Sequence, residues 1–123
     1  MKKILIVDDS TFTRNFIKAN LHTENYSIIE AINGKEAIEI YKKEEPDIVL
    51  MDILMPEMDG ITACEKIREF DPKSKIIICT TDKQEYRKEK AKEIGVVDFI
   101  VKPIDDNNLK MSIKKALAHG DNK

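Results

Sequence analysis

The sequence predicts an α/β fold in which a five-stranded parallel sheet is doubly wound by helices on both faces. Two observations carry that prediction. Five short runs rich in Ile and Val alternate with five longer stretches whose apolar residues recur at helical spacing, which is the pattern of repeated βαβ units. Several of the runs are apolar throughout, as strands covered on both faces should be. With 123 residues the chain is long enough for one domain with a core that needs no covalent or metal staple. We expect a single domain over 1–123, its core at about 3–118 and a frayed tail at 119–123.

Taken in order, Ile4 to Val7 is a buried strand that stops at Asp8-Asp9. Ser10 and Thr11 offer capping oxygens to a helix whose stripe would comprise Phe12, Phe16, Ile17, Ala19 and Leu21. Ser27 to Ala31 is β-branched enough for a second strand, Asn33-Gly34 turns the chain, and Ala37, Ile38, Ile40 and Tyr41 mark a second amphipathic helix. The turn signal Glu45-Pro46-Asp47 precedes Ile48-Val49-Leu50-Met51, the central strand, which ends at Asp52. A loop punctuated by Pro56 and Gly60 leads to a third helix carrying Ile61, Ala63, Cys64 and Ile67, which breaks before Asp71-Pro72. Ile76 to Cys79 is the fourth strand, ending in Thr80-Thr81. The fourth helix is expected over Asp82 to Ile94, yet Tyr86, Ala91 and Ile94 are nearly all its apolar content. It is either an ordinary solvated helix or a weakly held, movable one. Gly95 ends it, Phe99 to Val101 is the fifth strand before Lys102-Pro103, and Leu109, Met111, Ile113, Ala116 and Leu117 mark the last helix, with Gly120 to Lys123 beyond.

Composition narrows the function classes. The 21 basic and 23 acidic residues give a net charge of -2, which argues against general affinity for nucleic acid or an anionic membrane and leaves proteins or small solutes as partners. No apolar run approaches the ~20 residues that span a bilayer, and none resembles a secretory h-region, so a cytoplasmic protein is expected. Cys64 and Cys79 read as reduced packing residues in a helix and a strand. Neither His22 nor His119 has a partner at metal-ligand spacing, and the sequon Asn25-Tyr26-Ser27 is incidental without export.

In a doubly wound sheet the working crevice lies beyond the carboxyl ends of the strands. That rule gathers Asp8, Asp9, Asp52, Thr80 and Lys102 at one edge. Each has a plainer reading: Asp52 as a helix cap, Lys102 as a salt-bridge partner, Thr80 as a β-branched strand end. Together, three carboxylates would repel one another unless a cation sat among them, and hard oxygen donors suit Mg2+. A carboxylate beside Mg2+ can act as a nucleophile toward phosphorus, with Lys102 and Thr80 serving phosphoryl oxygens.

Asp8-Asp9, then Asp52 followed by Met55-Pro56 and Asp59-Gly60, then Thr80, then Lys102-Pro103, each after its own strand, resembles the receiver domain of two-component response regulators across essentially the whole chain. The resemblance implies the flavodoxin-like strand order 2-1-3-4-5, for which chemotaxis response regulators are a standard example. It implies that Asp52 is the phosphoacceptor, served by a sensor histidine kinase or a donor such as acetyl phosphate. Asp9, Asp52 and the backbone carbonyl of Leu54 would bind Mg2+, with Asp8 acting largely through water. Lys102 would hold a phosphoryl oxygen, and its bond to Pro103 would be cis. Thr80 and Phe99 would form the switch that remodels the face of the fourth helix, fifth strand and fifth helix for a downstream protein.

Some positions depart from that pattern. Thr81 stands where Ala or Gly is usual and would narrow access to Asp52 or add a hydroxyl. Leu54 and Asp82 occupy positions that tune phosphoryl lifetime, and Leu54 cannot orient water by hydrogen bonding, whereas Asp82 could. A phosphatase of the haloacid dehalogenase type would need an acid where Leu54 stands, and in an FMN carrier Asp8-Asp9 would repel the phosphate. Within the receiver reading, a stand-alone, monomeric chemotaxis regulator that docks on a motility component or adaptor fits best. A phosphorelay intermediate or a fragment of a longer regulator is the alternative.

Overall fold

Alternating buried runs and amphipathic stretches become β1 (Lys2–Val7), α1 (Thr11–Leu21), β2 (Tyr26–Ala31), α2 (Gly34–Glu44), β3 (Ile48–Met51), α3 (Gly60–Phe70), β4 (Ile76–Thr80), α4 (Glu85–Ile94), β5 (Asp98–Val101) and α5 (Asp106–Ala118). The structure, a computed structural model, describes residues 1–118; the tail at 119–123, with His119 and Gly120, lies outside them. All strand pairs are parallel and the sheet runs β2-β1-β3-β4-β5, the order that the resemblance implies. Leu5, Ile48, Val49 and Ile77 are wholly buried, because helices cover both faces of the central strands.

Side chains alternate across the strands and feed two cores. Val7, Val49, Met51 and Ile78 pack with Ala37, Tyr41, Ile61, Ala63, Cys64, Ile67 and Ala91 from α2, α3 and α4. On the other face Ile4, Ile6, Leu50, Ile77 and Cys79 meet Ile17 and Leu21 of α1 and Leu109, Ile113 and Ala116 of α5. Cys64 and Cys79 are thus free, buried and on opposite sides of the sheet. Burial drives both thiol pKa values up, that of Cys79 to about 12.

Register aligns the strand ends that matter. Val7 pairs with Met51 and Thr80 with Val101, so the residues that follow β1 and β3 emerge side by side. The backbone continues the ladder past the strands, with Asp52 N donating to Val7 O at 3.0 Å and Lys102 N to Thr80 O at 2.7 Å. At the opposite end of the sheet, Arg68 of α3 donates through Nε to Ile94 O (3.1 Å) and through Nη1 to Ser74 O (2.7 Å). It ties the end of α4 to the entry of β4.

Three expectations need correction. The fourth helix starts at Glu85, not Asp82, because Asp82 turns its carboxylate onto Gln84 N and Arg87 Nε instead of entering the helix. In α1, Phe12 and Phe16 are 79% and 40% exposed and Ala19 is also exposed. They lie about 100° or more around the helix from Ile17 and Leu21, which alone face the core. In α5, Met111 is exposed and Ser112 points inward, where its hydroxyl bonds the Asp98 carboxylate. As expected, α4 has a thin inner face, with Ala91 its one buried residue.

Candidate functional site

Asp8, directly after β1, and Asp52, directly after β3, are 3% and 6% exposed, while Asp9 faces solvent. Carboxylate oxygens of the three lie within 4.8 Å of one another. Lys102, carried in by β5, places Nζ 2.7 Å from Asp8 Oδ2 and 3.3 Å from Asp52 Oδ2. The salt-bridge reading of Lys102 therefore describes this arrangement, and it leaves the ammonium where a group added to Asp52 would meet it. The bond from Lys102 to Pro103 is cis.

Burial raises the pKa of the Asp52 carboxyl, and Asp8 raises it further; the charge and hydrogen bond of Lys102 and the Thr80 hydroxyl pull the other way without cancelling the rise. For Lys102, burial works against the charge, but the hydrogen bond it donates to Asp8 and the charges of Asp52 and Asp8 prevail and its pKa is raised. One ammonium faces three acids, so the cluster keeps an excess of negative charge. Its donors are hard oxygens and one acid is open to water, which fits Mg2+ in the manner expected of that ion.

Neighbouring loops fix the acids. Asp8 Oδ1 accepts from Ser10 N at 2.8 Å, and Arg14 donates to Asp8 O at 2.7 Å while pairing with Glu30. Asp52 Oδ1 accepts from Ile53 N at 2.8 Å. After β3 the loop passes Glu57, held at φ 72°, and returns so closely that Gly60 N donates to Ile53 O at 2.9 Å. Asp59 caps α3 through Thr62 N.

The remaining expected residues occupy graded positions. Thr80, fully buried at the end of β4, accepts from Asp82 N through Oγ1 at 3.2 Å. Leu54 is 49% exposed, two residues beyond Asp52. Phe99 is half-buried and packs against the core on the α2, α3 and α4 side. Thr81 is exposed. Beside Lys102, Phe12, Phe16, Pro103 and Ile104 line a shallow apolar cleft of about 260 Å³. Sequence reasoning missed Arg14 and Arg87. Arg87 pairs with Asp82 and Asp59 on two different loops, and no local pattern in the sequence announces a tertiary pairing of that kind.

Residues 4–114 match the family model described as the response regulator receiver domain. The chain is 42% identical to protein CcdB of Bacillus subtilis over 97% of its length and all of that protein's. It is 44% identical to chemotaxis protein CheY of Thermotoga maritima, covering 93% of this chain and 96% of that one. Among solved structures, the CheX–CheY–BeF3–Mg2+ complex of Borrelia burgdorferi contains a chain that superposes with a TM-score of 0.87 at 36% identity, covering 91% of this chain and 86% of that one.

Proposed function

Because the chain belongs to the response regulator receiver domain family, we propose that Asp52 accepts a phosphoryl group from a sensor histidine kinase, or from a small donor such as acetyl phosphate. The observation that carries this reading is the buried Asp52 carboxylate, set among two further acids with Lys102 Nζ at 3.3 Å. An Asp52 oxygen attacks phosphorus, the bond from phosphorus to the donor nitrogen or oxygen breaks, and the donor leaves with that electron pair. Strand β3 holds the nucleophile still, and Ile53 N fixes one of its oxygens. Lys102 swings from its pairing with Asp8 and Asp52 onto a phosphoryl oxygen, and the Thr80 hydroxyl turns to another.

Asp9, Asp52 and the backbone carbonyl of Leu54 would hold Mg2+ directly, with Asp8 acting through water. When bound, the ion neutralises charge on the phosphoryl oxygens and lets the nucleophile approach them. The Mg2+ and BeF3 named with the Borrelia CheY complex support this assignment.

Phosphorylation then draws Thr80 and Phe99 into a new arrangement and remodels the surface of α4, β5 and α5 for a protein partner. Identity of 44% to Thermotoga CheY over 93% of this chain supports a role in chemotaxis signalling. In this reading the protein acts in the cytoplasm as a monomer and turns over its own aspartyl phosphate. The described residues form no helix long and apolar enough to cross a membrane.

Intact mass after incubation with acetyl phosphate and Mg2+ tests the reading. One added phosphoryl group in the wild type, absent from Asp52→Asn and from a metal-chelated sample, is expected. Absence of an adduct, together with no binding of beryllofluoride, would overturn it.

A further inference from the structure

Arg87, in the first turn of α4, joins two of the loops that frame Asp52. Its Nε lies 3.1 Å from Asp82 Oδ2 in the β4–α4 loop, and Nη1 lies 3.7 Å from Asp59 Oδ2 at the head of α3. The Asp82 side chain is only 5% exposed and that of Arg87 21%, so the shorter pair is largely withdrawn from water. Besides the bond that Gln84 N donates to Asp82 Oδ1 at 3.1 Å, little else fixes the start of α4. Gln84 makes no side-chain cap, and Ala91, near the far end of the helix, is its one buried residue. The loop is also coupled to the site, since Asp82 N donates to Thr80 Oγ1 at 3.2 Å.

We propose that Arg87 is a positioning residue, a latch that holds the β4–α4 loop against the β3–α3 loop and so sets how readily the domain accepts a phosphoryl group at Asp52. This rests on the phosphoacceptor reading above. Thr80 Oγ1 can keep accepting from Asp82 N while its hydroxyl hydrogen serves a phosphoryl oxygen, so a movement of Thr80 toward that oxygen carries the β4–α4 loop with it, relative to Asp59. A guanidinium hydrogen-bonded to Asp82 and ion-paired with Asp59 at 3.7 Å resists that shift. The competent conformer is thereby kept at a small fraction of the resting population. The apparent dissociation constant for a phosphoryl group or its mimic rises in inverse proportion to that fraction.

Beryllofluoride titrated at saturating Mg2+ into the full chain, followed by the Thr80 and Phe99 amide resonances, tests the latch. Mg2+ affinity is measured separately by calorimetry. Arg87→Gln should bind beryllofluoride about threefold to tenfold more tightly than wild type, with Mg2+ affinity unchanged. Asp59→Asn keeps a side chain able to cap α3 but loses the charge, and should move in the same direction by less. Arg87→Lys, which cannot span both acids, should fall between wild type and Arg87→Gln. A purely structural role would lower thermal stability without separating the two affinities. Equal or weaker beryllofluoride binding by Arg87→Gln overturns the latch. Failure of the wild type to bind overturns the phosphoacceptor reading instead, and is visible before any variant is compared.

Discussion

A Cβ placed on Gly60 would lie 1.8 Å from the carbonyl oxygen of Asp52. The loop that leaves the nucleophile comes back against its own backbone, and only a residue without a side chain fits there. Gly60→Ala must push apart the end of β3 and the head of α3. It should cost about 3 kcal/mol in denaturant unfolding and slow acetyl phosphate labelling more than the loss of folded protein explains.

Asp52→Asn should stabilise the metal-free protein at pH 7 by about 1 kcal/mol, because it removes a buried charge crowded by Asp8. The sign follows from the raised pKa. Folded protein binds the Asp52 proton more tightly than unfolded chain, so stability falls as pH rises through the raised value, and the substitution abolishes that loss. The advantage over wild type should vanish below the ordinary aspartate range. Saturating Mg2+ should narrow or reverse it, since only the wild type keeps all three acids. Thermal melts with and without Mg2+ check both points.

Lys102→Met leaves Asp8 and Asp52 without their shared ammonium. Phosphorylation by acetyl phosphate should slow about 100-fold, the usual cost of removing one donor aimed at developing oxyanion charge. Single-turnover labelling monitored by mass gives the rate, and retained Mg2+ binding would show that the loss is chemical.

Glu30 tests the support beneath Asp8. Burial works against its charge, but hydrogen bonds from Lys18 and Arg14 outweigh it and leave the carboxyl pKa lowered. The stability it contributes is present above its ordinary pKa and disappears as pH falls through the lowered one. Glu30→Gln should cost up to about 1 kcal/mol at pH 7, discounted for partial exposure. The deficit should close in acid. Urea unfolding across that range would reveal it.

Leu54 stands half-exposed two residues past the nucleophile and offers no hydrogen bond to water. Leu54→Asn should accelerate loss of the phosphoryl group by about threefold or more, because an amide can orient the attacking water. An unchanged decay of the phosphorylated protein would exclude that role.

The central strands and their terminal acids were legible because buried β-branched runs and chemistry at strand ends are local signals. Asp8, Asp52 and Lys102 meet where the alternation of elements puts them. Phe12 and Met111 misled because hydrophobicity alone does not tell which side of a helix meets the sheet; Ile17 and Ser112 take the inner places. Ser112 does so because Asp98 supplies its partner. The start of α4 was hidden for a related reason. Asp82 looks like the first residue of a helix until Arg87 folds back onto it.

Arg68 gives α4 a fulcrum. The guanidinium grips Ile94 O, and Gly95 N closes onto Ala91 O and Lys92 O, so the C-terminal end of the helix is pinned to α3 and to the entry of β4. A ten-residue helix hinged there is a lever about 15 Å long, and a tilt of 10° carries Glu85 through roughly 2.6 Å while Ile94 scarcely moves. Such a tilt would concentrate displacement at the end that adjoins Thr80 and leave the opposite end of the sheet, at the entry of β4, undisturbed.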